Sequence, residues 1–106
     1  MTGDSTLGGY MDVHDRPPAF EGSDGRAYTA AVFVDESAAA DGRFGASLLF
    51  VQWSEAGDHP IGHLETPYLA FGDTPGQADA AIRCLTLHDV KRYLDQAIVE
   101  ARASSG

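Results

Sequence analysis

His59, His63 and Glu65 are the residues whose types and spacing come nearest to a metal site. Side chains two apart share a face of an extended segment, so these positions would offer two imidazoles and a carboxylate to a divalent ion. Pro60 and Gly62 interrupt that segment, and ordinary solvation of the histidines is the competing explanation. His14-Asp15 and His88-Asp89 are adjacent pairs. Neighbouring side chains diverge on a strand or a helix, so neither pair forms an acid–base dyad. Cys84 lies between Ile82 and Leu85 in a helical pattern and is expected to pack as an inert thiol. The chain has no Gly-x-Ser-x-Gly elbow, and its Gly8-Gly9 and Gly22-to-Gly25 stretches precede no expected helix, so no phosphate loop is indicated. The residues therefore show no catalytic constellation, and neither an enzyme nor a cofactor is expected.

The elements that would carry these side chains follow from periodicity and punctuation. Residues 1–15 are rich in Gly, Asp, Ser and Thr, show no period, and read as a flexible N-terminal tail before a single domain over 16–106. Pro18 to Glu21 reads as a short edge strand, and Ser23-Asp24-Gly25 as a turn into a strand over Arg26 to Asp35. That strand and the next, Phe44 to Trp53, are apolar on both faces. One face would carry Tyr28, Val32, Leu48 and Phe50, the other Phe33, Leu49, Val51 and Trp53. His63 to Phe71 reads as a further strand, with Pro67 marking an edge or a bulge. Thr74, Pro75 and Gln77 then supply an N-cap, a first-turn proline and a capping-box partner. Apolar residues at helical spacing continue to Ala101, with Thr86 and Asp89 as a second capping box, so two short helices or one kinked helix close the chain.

The fold class expected is therefore α+β: an antiparallel sheet of three or four strands with a C-terminal helix or helix pair packed on one face. Helical material from residue 75 onward can cover only one face of a sheet that is apolar on both. Phe33, Leu49, Val51 and Trp53 are then the candidate interface, with Tyr28, Val32, Leu48 and Phe50 as the alternative set if the helices cover the opposite face. A homodimer or a protein partner would cover them; burial within one strongly curled chain is the alternative. A small-ligand pocket between sheet and helices near Trp53 and Tyr68 is a further reading.

Length and charge set the outer bounds. One domain fits 106 residues, and 43% hydrophobic residues with ten aromatics suffice for a core. A single cysteine excludes an internal disulfide and makes a reducing, cytoplasmic setting the expectation. No apolar run approaches the roughly 18 residues of a membrane span, and no leader is expected. The net charge of -9 is carried entirely before residue 74, because acids and bases balance from Thr74 onward. That field opposes nucleic acid, and the longest basic run is Lys91-Arg92. It suits solubility or a basic protein partner.

Gly72-Asp73-Thr74-Pro75-Gly76-Gln77-Ala78, opening an amphipathic helix after two long apolar strands and a third, resembles the corresponding turn of HicB-type antitoxins. The resemblance spans at most residues 28–102 and implies a partial RNase H-like fold and neutralisation of a toxin. The chain departs from that family in the end of its second strand, in its long Ser54-to-His63 connection and in having no C-terminal DNA-binding segment, which argues against operator binding. The function expected is a small non-enzymatic interaction module, which the resemblance makes antitoxin-like; the alternative is a metal- or small-ligand-binding domain built on His59, His63 and Glu65.

Overall fold

The most apolar stretch of the chain, Phe44–Trp53, forms the central strand of the sheet in a computed structural model that describes residues 5–105. In chain order the elements are α1 (Leu7–His14), β1 (Ala19–Glu21), β2 (Ala27–Val34), β3 (Phe44–Trp53), β4 (Pro60–Glu65), β5 (Ala70–Gly72), α2 (Pro75–Arg83) and α3 (Leu87–Ser105). The class is α+β. The strands run β1-β2-β3-β4, with β5 also paired to β3, and every pairing is antiparallel.

β4 and β5 occupy the span read as one strand from the sequence. Pro67 has no N–H to donate to a ladder, and the run breaks around it. The ten-residue β3 is bordered by β4 along its C-terminal half and by β5 along its N-terminal half. The connection stays tied to β3. Thr66 N–H donates to the Leu48 carbonyl, Leu48 N–H donates to Thr66 Oγ1, and Leu69 N–H donates to the Ala46 carbonyl.

Alternation along β2 and β3 sends Tyr28, Ala30, Leu48 and Phe50 to one face, where they are buried with Ala78, Ile82, Val90, Leu94 and Ile98 of the two C-terminal helices. The helix starts are chemically explicit. Thr74 Oγ1 accepts from Gln77 N–H, Pro75 takes the first turn, and Gln77 Oε1 reaches past the cap to accept from Asp73 N–H. Thr86 and Asp89 form the reciprocal box that starts α3. At Gly72 a Cβ would lie 2.5 Å from the Ala78 nitrogen, so only glycine lets β5 turn this closely into α2.

The expected N-terminal tail is corrected from Leu7 onward; residues 1–4 lie outside the described residues. Thr6 caps α1 by accepting from Gly9 N–H, and Asp15 ends it in the left-handed region at φ 53°. Leu7 is fully buried in the core, and its N–H donates to the Leu85 carbonyl, while Leu87 N–H donates to Ser5. Gly8 carries the close approach of the two helices, since a Cβ there would come within 2.9 Å of Arg83 Cβ. Cys84 also departs from expectation: it is exposed at the end of α2, with Sγ 3.4 Å from the Ala80 carbonyl. No helix among the described residues is long and apolar enough to cross a membrane.

Candidate functional site

The face of the sheet turned away from α2 and α3 is built by the alternate residues of four strands. Register pairs Ala31 with Leu49 and Thr29 with Val51, and on the other side Leu49 with Glu65 and Val51 with His63. Phe33 lies opposite Ser47 and is 51% exposed. Leu49, Val51 and Trp53 are half-buried along the middle of the face. Trp53 is held in place by donating Nε1–H to Thr29 Oγ1 at 3.0 Å. The four interface residues proposed from alternation therefore share one face, and a groove floored by Leu49 and Val51 runs between Phe33 and the β4 residues Pro60, Gly62, His63 and Glu65.

Sequence reasoning missed three members of this surface. Ile61 lies beside Trp53 and is 50% exposed. Alternation along β4 sets it on the face of His63 and Glu65, so this signal was present in the sequence. Tyr68 and Phe71 extend the face at its other end, edge to face with ring centroids 6.0 Å apart. Gly45 is the reason Tyr68 can lie there. A Cβ at that position would meet the Tyr68 ring at 2.6 Å, so the bare backbone of β3 makes room for it.

Two polar contacts fix that end. Tyr68 Oη donates to Asp35 Oδ2 at 2.5 Å, and the Arg43 guanidinium stands 5.1 Å over the Phe71 ring. The bond from Tyr68, joined by one from Ser37 N–H, holds the Asp35 carboxyl below its ordinary range; the same carboxylate pushes the Tyr68 hydroxyl upward.

The metal-ligand candidates do not converge. His63 Nε2 and Glu65 Oε2 are 3.5 Å apart on β4, but His59 precedes the strand and pairs instead with Asp58, Nδ1 to Oδ1, at 2.7 Å. That bond, with one from Ser54, lowers the Asp58 carboxyl. Among the described residues no group of three or more His, Cys, Asp or Glu side chains is placed to hold a metal ion. The three-ligand expectation fails because Pro60 starts the strand after His59 rather than before it.

The ligand pocket expected between sheet and helices is corrected as well, since Trp53 and Tyr68 lie at opposite ends of the outer face. His14 is taken up by stacking on Tyr10, with centroids 4.2 Å apart, and His88 is exposed.

Among the described residues six large apolar side chains are exposed, and Phe33, Ile61, Tyr68 and Phe71 are four of them. Scattered exposed apolar residues are ordinary, but contiguous ones beside Leu49, Val51 and Trp53 are the signature of a contact surface. No family model, curated protein or solved structure matches the chain, so it is this face that carries the functional reading.

Proposed function

We propose that the chain is a non-enzymatic protein-interaction module and that the outer sheet face is its contact surface. One observation carries the reading: four of the six most exposed large apolar side chains gather on a single face, around the half-buried Leu49, Val51 and Trp53. A sheet with one solvated face normally alternates apolar with polar residues, whereas β2 and β3 are apolar on both sides. Covering the second face completes the layer packing that helices on one face leave unfinished. The antitoxin-like role implied by the family resemblance is a narrower form of this reading, with a basic toxin as the partner. The Gly72-Asp73-Thr74 turn behind that resemblance is already accounted for by helix capping.

Site-specific photocrosslinking in the organism that makes the chain tests the reading without presupposing the partner. A photoreactive residue in place of Phe33 should give discrete protein adducts, while one in place of Val99, exposed on α3, should give none. Equal or absent crosslinking at both positions would contradict it.

A further inference from the structure

We infer that the occupant of the outer face is a second copy of this chain, the two sheets packed face to face with the helices outermost. The inference rests on the contact-surface reading above and names its partner.

Charge is the first argument. The chain carries -9 in all, yet along the strands only Glu21 and Glu65 place carboxylates on this face. Glu21 pairs with Ala27 at the β1 margin, and Glu65 stands on β4 at the opposite margin. Between them Thr29, Ala31, Phe33, Ser47, Leu49, Val51 and Trp53 carry no charge. Asp35 adds a third carboxylate at the Tyr68 end, where it accepts from the Tyr68 hydroxyl, and other acids lie in turns, in loops and on helices, as Asp24, Asp58, Asp79 and Asp95 do. Two copies can therefore meet over the middle of this face, with the carboxylates of Glu21, Asp35 and Glu65 kept to its rim. A strongly basic partner would find carboxylates only at the rim and none over the apolar middle.

Size is the second. The five strands together hold 30 residues, which at about 3.3 Å per residue and about 4.8 Å between strands project on the order of 500 Å². Twice that comes to the lower bound of roughly 1,000 Å² for a specific interface, and side-chain relief adds to the projection. Two sheets packed about 10 Å apart form an ordinary sandwich core, and a two-fold axis lets the same patch serve both sides.

Sedimentation equilibrium on the purified full chain tests this, with Phe33→Asp as the disrupting variant and Val99→Asp as the control; both residues are exposed, so folding survives either change. The wild type and Val99→Asp should sediment at twice the chain mass at micromolar concentration, and Phe33→Asp should weaken association about tenfold or more. Added salt should tighten the dimer by screening repulsion between two acidic chains. A monomeric wild type at high micromolar concentration, or a Phe33→Asp dimer as tight as wild type, overturns the inference. A monomer that still gives Phe33 crosslinks to a different protein overturns the second copy and leaves the contact surface standing. An acid–base complex with such a protein would weaken with salt, the opposite sign.

Discussion

Tyr28 shows how a single buried hydroxyl is tied to the pH response of the fold. Its ring is 2% exposed, and Oη donates to Asp24 Oδ2 at 2.8 Å. Burial first, and then the bond to Asp24, push the Tyr28 hydroxyl up to about 12 from its ordinary 10.0. A group whose value is raised on folding contributes stability that is complete below its unfolded value and is lost as pH rises through the folded one. Unfolding followed by circular dichroism should therefore show stability declining between pH 10.0 and about 12, and declining less steeply in Tyr28→Phe. Tyr68, also raised, adds to the same decline. At neutral pH, Tyr28→Phe should cost about 1 kcal/mol, the usual worth of one such bond. Asp24 moves the other way. Burial raises its carboxyl, but donation from Arg26 N–H and Tyr28 Oη outweighs that and leaves it below 3.8. Its contribution is present above 3.8 and is lost as pH falls below it.

At the scale of elements, caps and close approaches make the strongest predictions. Thr74→Ala removes the acceptor for Gln77 N–H and should cost about 1 kcal/mol in a urea melt. Leu7→Ala should cost about 2–5 kcal/mol, since it empties a fully buried site. Amide exchange should then quicken across α1; no effect would mean that α1 is not part of the cooperative core. The two C-terminal helices and β3 were legible in the sequence because caps and apolar runs mark them directly. α1 was not, because Gly8-Gly9 weakens helix propensity and the helix is held by tertiary contacts to Leu85 and Arg83. Pro67 signalled an irregularity but not that β3 would pair with a separate strand on each side of it. The outer face was half legible. Phe33, Leu49, Val51 and Trp53 follow from alternation, as Ile61 does along β4, whereas Tyr68 and Phe71 arrive after a break whose geometry depends on Gly45. His59 was misread for the same kind of reason: one proline sets where β4 begins.

For the whole molecule, the balance is between an acidic exterior and one nearly uncharged sheet face. The excess charge was localised by sequence to the segments before residue 74, but their folding sends most of those acids into turns and loops around the sheet rather than onto its outer face. Trp53, the chain's one tryptophan, lies on that face and reports on it directly. The most direct test is its fluorescence across a dilution series, in wild type and in Phe33→Asp, where the substituted residue is at the far end of the face from Trp53. Covering by a second copy predicts a blue-shifted emission in the concentrated wild type that moves red on dilution, and a red emission at every concentration in Phe33→Asp. An emission that is independent of concentration and identical in the two proteins would contradict it.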